Sequence, residues 1–154
     1  MSTPIREYQR GEYVLSTDRA RLDVGVIHHY LSTASYWARG RPYEVVARCV
    51  EASLCFGIYA PDGAQAGFAR VITDYAAIAW LCDVFVLDAY RGQGLGKWLV
   101  ETVVAYPELQ DLKRILLATR DAEELYRQYG GFHVLAAPEK CMERSTLREI
   151  DSAA

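Results

Sequence analysis

The chain lacks most of the features that would place it outside the ordinary globular classes. It has only four cysteines, and no two are spaced C-x-x-C. Each sits in an apolar setting, as in Leu54-Cys55-Phe56, so the expectation is four buried free thiols and a reducing compartment. Histidine is scarce too: there are three, and His28 and His29 are adjacent, so on a helix they point about 100° apart. Neither an i, i+4 pair nor H-E-x-x-H is present, and no metal is expected. The longest apolar run, Tyr75 to Cys82, falls far short of the ~18 residues of a membrane span. The first eight residues carry no signal-peptide core. Positive charge is not in excess either: 17 basic against 20 acidic residues give a net charge of −3, which leaves no footprint for nucleic acid or an anionic membrane. Repeats, low-complexity segments and linkers are absent. A soluble, cytoplasmic, single domain over 1–154 is the expectation, its 51% hydrophobic content being that of a chain with a packed core.

Periodicity and turn residues divide the chain into elements. Tyr13 to Thr17 reads as a short strand, and Thr17 or Asp18 as the cap of a helix through Leu22, Val26 and Tyr30. A second helix is expected over Pro42–Ala52, with Val45, Val46 and Cys49 on one face. Ser53–Tyr59, the turn Pro61-Asp62-Gly63 and Gln65–Thr73 form a hairpin, and Ala77–Leu87 is a long apolar strand interrupted by one charge, Asp83. After the glycine-rich stretch Asp88–Gly96, Leu95, Trp98, Leu99, Thr102 and Val103 fall on one helical face, which ends before Pro107. Arg114–Thr119 reads as a strand, Asp121–Tyr129 as a helix stopped by Gly130-Gly131, and Phe132–Ala136 and Cys141–Arg144 as final strands. The fold class is α/β (α+β) with a mixed sheet.

A strand that feeds a glycine-rich loop and then a helix is an anion-binding device. Free N–H groups at the helix start face the anion, the helix dipole favours it, and glycine lets the backbone come close. Two phosphate motifs do not fit. In the Walker pattern G-x-x-x-x-G-K-[ST], Arg91 stands at the first glycine and Trp98 follows Lys97. In G-x-G-x-x-G, Gly92 and Gly94 fit but Lys97 takes the third glycine position, so a Rossmann-like nucleotide enzyme is disfavoured.

Arg91-Gly92-Gln93-Gly94-Leu95-Gly96 does fit R-x-x-G-x-G, and here the sequence resembles the GCN5-related N-acetyltransferase (GNAT) family. Asp83-Val-Phe-Val-Leu-Asp-Ala-Tyr90 is similar to that family's approach to the loop, with Asp88 in place of the usual Pro. Ala122-Glu-Glu-Leu-Tyr126-Arg-Gln-Tyr-Gly-Gly-Phe132 is similar to its A-x-x-L-Y-x-x-x-G-F, with one extra Gly. The resemblance covers residues 65 to 136 and implies one domain with a mixed, mostly antiparallel sheet of six or seven strands and about four helices. The sheet would splay between the fourth and fifth strands of this reading, Ala77–Leu87 and Arg114–Thr119, with helices over 18–52 on the acceptor side and an acetyl-CoA-binding core at 77–136.

The resemblance also implies roles. The diphosphate of acetyl-CoA, the co-substrate, would lie on Arg91, Gly92, Gln93, Gly94, Leu95 and Gly96. Its peptide-like arm would pair with Val84, Phe85 and Val86, and Thr119 stands where relatives carry an Asn that contacts that arm. Direct attack by a primary amine, of a small molecule or a peptide, needs no acyl-enzyme. Tyr126 would protonate the leaving thiolate, or else it simply packs beside Ala122 and Leu125; Tyr129 reads as core. An amine with a lysine-like pKa leaves only about one molecule in 10³ neutral at pH 7. Asp83 is the candidate base, the alternative being a carboxylate satisfied structurally at the splay; Asp74 and Glu51 are weaker candidates. Lys97 and Arg120 stand near the expected phosphates, either as contacts or as solvated cations. Tyr30, Tyr36 and Trp37, in a stretch rich in aromatic and hydroxyl groups, would either line the acceptor pocket or anchor the helices. The expected reaction is acetyl transfer to an amine, with a non-catalytic acyl-CoA-binding or sensing module as the alternative and a homodimer as a possible assembly.

Overall fold

Apolar alternation becomes a six-stranded sheet in the computed structural model, which describes residues 3–146. The strands are β1 (Glu7–Arg10), β2 (Tyr13–Ser16), β3 (Leu54–Tyr59), β4 (Gln65–Thr73), β5 (Ile78–Val86) and β6 (Arg114–Leu116). They lie side by side in chain order; the first four pairings are antiparallel and β5–β6 is parallel. The helices are α1 (Val24–His29), α2 (Tyr43–Glu51), α3 (Leu95–Val104) and α4 (Glu123–Gly130). β3 is buried along its whole length because both faces of the sheet are covered. On one face Leu54, Phe56, Ile58, Val71 and Leu81 meet Leu99, Val100 and Val103 of α3, together with Tyr106. On the other, Cys55, Phe68 and Phe85 meet Ile27, Leu31, Val46 and Val50 from the α1–α2 region. Each such side chain, fully buried, contributes about 1.5–3 kcal/mol.

Two features of the sheet create the site. β5 and β6 pair only over Ile78–Trp80 and Arg114–Leu116, so they part beyond that point and leave the rest of β5 open on this side. β5 also bulges: Phe85 pairs with Phe68 and Cys82 with Arg70, so Asp83 and Val84 stand opposite Ala69 alone. Asp83 takes φ 52, a left-handed conformation that Asp tolerates better than most residues. The extra residue switches faces. Ala79 and Leu81 pack on the α3 side, whereas Phe85 packs on the α1–α2 side.

Several expectations need correction. The polar Glu7–Arg10 segment forms β1, an edge strand whose charged, exposed residues hide its alternation. The single helix expected from Asp18 to Tyr30 is broken. Asp18 caps a short 3₁₀ turn over Arg19–Arg21, Leu22 is extended, and Asp23 caps α1 by accepting from Val26 N–H. Asp23 is held there because its own N–H donates to Gln65 Oε1 at 2.8 Å. The strand expected over Arg114–Thr119 ends at Leu116. Phe132–Ala136 and Cys141–Arg144 are not strands. Gly131 turns the chain at the α4 C-cap, Phe132 N–H bonds back to Tyr126 O, and the segment stands off β6 across a cavity of about 320 Å³. Of the four cysteines only Cys55 is buried; Cys49 and Cys82 are half-buried and Cys141 is exposed, all as free thiols. No helix among the described residues is long and apolar enough to cross a membrane.

Candidate active site

The glycine loop sits where β5 gives way to α3. Gly94 is the N-cap of α3 at φ 79, and no side chain caps the helix. The N–H groups of Leu95, Gly96 and Lys97 therefore have no intrahelical acceptor. A Cβ built on Gly92 or Gly94 meets nothing within 4 Å, so the space over the loop is open. Val86, Tyr90, Arg91, Gly92, Gly94–Lys97 and Leu125 line a cavity of about 330 Å³ there. Main-chain donors, a helix start and an open cavity suit a phosphate or diphosphate. Arg91 does not reach into that cavity as a free cation. Its Nε donates to Val86 O (3.0 Å), its Nη2 to Tyr30 Oη (3.0 Å), and its Nη1 pairs with Asp88 (2.9 Å), so it braces the loop. Gln93 Nε2 donates to Tyr90 O, and Lys97 lies over the Tyr129 ring at 5.1 Å.

The open edge of β5 leads from the loop to the splay. A Cβ on Gly67 would lie 3.1 Å from Phe85 O, and Leu87 N–H donates to Ala66 O at 2.8 Å, so these peptide groups face β4. Strand alternation then turns the Val84 and Val86 peptide groups into the opening, where an extended, amide-bearing chain could pair with them.

At the bulge the carboxylate of Asp83 is enclosed. Its Oδ2 accepts from Arg70 Nε (2.8 Å) and Arg41 Nη1 (3.0 Å), and its Oδ1 accepts from Trp37 Nε1 (2.9 Å). Burial pulls the Arg70 guanidinium down, but the charge and hydrogen bond of Asp83 outweigh it and hold Arg70 above its ordinary value. Arg70 Nη1 also reaches Ser53 Oγ at 3.2 Å. Of the two sequence readings of Asp83, the geometry favours the structural one, with side chains rather than backbone N–H groups as partners. Arg41 and Arg70 were missed. Arg70 had a signal: it is a lone charge in an apolar strand, opposite the strand that carries the lone Asp83.

The far wall comes from α4 and the loop before it. Tyr126 is buried, packs edge-on against Phe132, and its phenol is pushed up to about 12, chiefly by burial and then by Tyr36, Asp121 and Cys82 nearby. Tyr36 closes the gap from the other side. Its hydroxyl accepts from Arg120 N–H (2.9 Å), and the Arg120 guanidinium lies 3.8 Å from the centre of its ring. Tyr36 and Trp37 stack edge-to-face, while Tyr30 lies apart, stacked on Phe85 at 4.1 Å and bonded to Arg91. Thr119 Oγ1 accepts from Ala122 N–H just before α4 (3.0 Å), so its side chain is engaged in the turn that leads into the helix. Asp74 does the same for its own turn, accepting from Ala76, Ala77 and Ile78 N–H; those bonds hold its carboxyl below the usual range. It is a turn residue. Glu51 is the exposed last residue of α2.

This arrangement can be set beside known proteins. A crystal structure of a GNAT-family protein from Xanthomonas campestris pv. campestris is 48% identical, with a TM-score of 0.83 over 87% of this chain and 93% of that one. A protein of Gibberella zeae named as an acetyltransferase is 30% identical in a match that covers 80% of this chain and 81% of its own. A Clostridium acetobutylicum protein solved with acetyl-CoA shares the fold at 11% identity, with a TM-score of 0.62 over 92% of this chain and 95% of its own. The family model of the acetyltransferases (GNAT) matches residues 19–132. With that match, the Gibberella relative and the Xanthomonas structure all agreeing, the chain belongs to the acetyltransferase (GNAT) family.

Proposed function

We propose that this protein transfers the acetyl group of acetyl-CoA directly to a primary amine, with both substrates bound together. Three features of one region support the reading: an uncapped helix start over an open cavity, the free edge of β5, and the buried phenol of Tyr126, which lies near enough to Cys82 of β5 to interact with it. The N–H groups of Gly92 to Gly96 hold the diphosphate. The Val84 and Val86 peptide groups pair with the pantetheine amides, and an N–H of this stretch polarises the thioester carbonyl. Arg91 and Tyr30 act from behind the loop by fixing its shape. Thr119 orders the start of α4 and so positions Tyr126.

In the reaction an N–C bond forms, a C–S bond breaks, and one proton passes from nitrogen to sulfur. Tyr126, at about 12, is protonated throughout the physiological range and can donate to the departing sulfur. A thiol with a pKa of about 8.5 is the stronger acid, so complete transfer from the phenol alone is uphill by several kcal/mol. Tyr126 therefore works as a relay, regaining a proton from the acylated nitrogen as it gives one to sulfur. Asp83 positions rather than deprotonates, since both its oxygens already accept hydrogen bonds.

Thiol release from acetyl-CoA, measured with a panel of amines, tests the reading. Turnover with at least one amine is expected, and Tyr126→Phe should lower kcat about 10²-fold while acetyl-CoA affinity stays within about twofold. Binding of acetyl-CoA without release by any amine would overturn transfer in favour of a sensing module.

A further inference from the structure

Two guanidinium groups converge on the one carboxylate at the bulge, and the excess positive charge is left in a poorly solvated place. The Asp83 side chain is 2% exposed, Arg70 9% and Arg41 23%. Among the described residues no carboxylate other than Asp83 pairs with Arg41 or Arg70. The neighbouring Cys82 and Cys55 thiols are neutral, burial pushing them up to about 11 and about 12, and Trp37 and Ser53 carry no charge. Across the splay Arg120 adds a third guanidinium, over Tyr36, and Asp121 an exposed carboxylate. This neighbourhood, with three guanidinium groups against two carboxylates, is thus locally cationic in a chain whose net charge is −3.

Arg41 is the member that can act on a ligand. Only its Nη1 has a partner among the described residues; Nε and Nη2 bond to nothing there, and neither is sealed away from solvent. Its place is fixed in advance. Ser35 Oγ donates to Leu31 O (2.6 Å) and accepts from Ala38 N–H (3.1 Å), Gly40 N–H donates to Ser32 O (2.9 Å), and Arg41 N–H donates to Ala38 O (3.0 Å). Gly40, at φ 74, makes the reversal that brings Arg41 back over the sheet. A guanidinium held in this way, with two nitrogens to offer, is complementary to a carboxylate or a phosphate oxygen pair.

We infer that the acceptor is an amine that also bears an acidic group, a carboxylate or a phosphate, and that Arg41 binds that group. The inference rests on the acetyl-transfer reading and narrows it. The acidic group satisfies the excess charge of the Arg41–Asp83–Arg70 cluster. The same cations disfavour a nearby ammonium and so lower the pKa of the incoming amine, which eases the loss of its proton without a dedicated base. A simple diamine or polyamine would meet repulsion here and gain nothing in return.

The test uses the whole protein with acetyl-CoA and matched acceptors: α-amino acids against their primary amides, and phosphoethanolamine against ethanolamine. In the wild type kcat/KM for the acidic member of one pair should exceed that of its neutral counterpart by about tenfold or more, the worth of one charge-assisted hydrogen bond. Arg41→Gln should bring that ratio to within about threefold of unity, and Arg41→Lys should restore part of it, with acetyl-CoA affinity by calorimetry reporting that each variant is folded. Which pair shows the preference tells carboxylate from phosphate. Equal use of acidic and neutral amines by the wild type overturns this inference and leaves acetyl transfer standing, as does a preference that Arg41→Gln leaves untouched. Acetyl-CoA binding with no transfer to any acceptor overturns both.

Discussion

The glycine loop and the side-chain cluster at the β5 bulge are built from different materials. The glycine loop offers main-chain N–H groups of consecutive residues, and its geometry comes from local backbone conformation: Gly92 and Gly94 at positive φ, then the uncapped start of α3. The proposed acceptor end offers side chains gathered from distant positions: Trp37 and Arg41 before α2, Arg70 on β4, Asp83 on β5 and Tyr126 on α4. A local device survives most changes elsewhere in the chain and fails when its own glycine changes. A gathered cluster is a packing product, so its function and its contribution to stability cannot be separated cleanly. The loop is suited to a ligand shared by a whole family, and the cluster to whatever is particular to this chain.

The largest effect should come from breaking the local device. Gly94→Glu forces a non-glycine residue to φ 79 and sets a carboxylate beside the diphosphate position. Strain and like charge together should weaken acetyl-CoA binding about a hundredfold by calorimetry, while the fold persists. Next comes the cluster. Asp83→Ala leaves Arg41 and Arg70 without their counter-charge, and breaking a buried ion pair from one side costs about 3–5 kcal/mol, to be read by denaturant unfolding. Unaltered stability in that variant would erase the contrast between loop and cluster.

Alkali should also tell them apart, because the loop's donors do not titrate whereas the half-buried Cys82 and the buried Tyr126 are weak acids shielded from water. Burial raises Cys82 to about 11 and Tyr126 to about 12. Unfolded thiols and phenols ionise near about 8.5 and about 10. The stabilisation these groups give is complete below the unfolded values and is lost as pH climbs to the folded ones, because only the unfolded chain releases protons in between. The denaturation midpoint should therefore fall from about pH 8.5 upward, in step with tyrosinate absorbance at its upper end. The smallest effect belongs to Tyr36→Phe, which removes the acceptor of Arg120 N–H at the partly exposed latch. One neutral hydrogen bond is worth about 1 kcal/mol, so KM for the amine should rise only a few-fold and kcat should hold.

Much of the fold was legible because it is periodic. β4 and the α3 face are where the Pro61-Asp62-Gly63 turn and helical spacing put them, since a tight turn pairs the strands on either side of it and a half-buried helix must repeat its apolar residues at its own period. Legibility failed where short-range pattern and tertiary demand part company. Asp23, tied by its N–H to Gln65 of β4, breaks what reads as one helix from Asp18 to Tyr30. Phe132 packs on Tyr126 instead of leading a strand onto β6. In the site, the lone charge of Asp83 was visible but its meaning was not, because its partners lie 13, 42 and 46 residues away.

By itself the sequence determined what depends on neighbouring residues: the glycine turn that opens α3, the helices and strands with clean periods, and the Leu125-Tyr126 pair on one face of α4. Tertiary structure alone decided what depends on register. One extra residue in β5 turns Asp83 toward Arg41, Arg70 and Trp37, and the early parting of β5 from β6 leaves the rest of β5 open on that side. Backbone conformation is set by forces acting over a few bonds, whereas a shared carboxylate at a bulge exists only once separate strands have paired and their side chains have been excluded from water together.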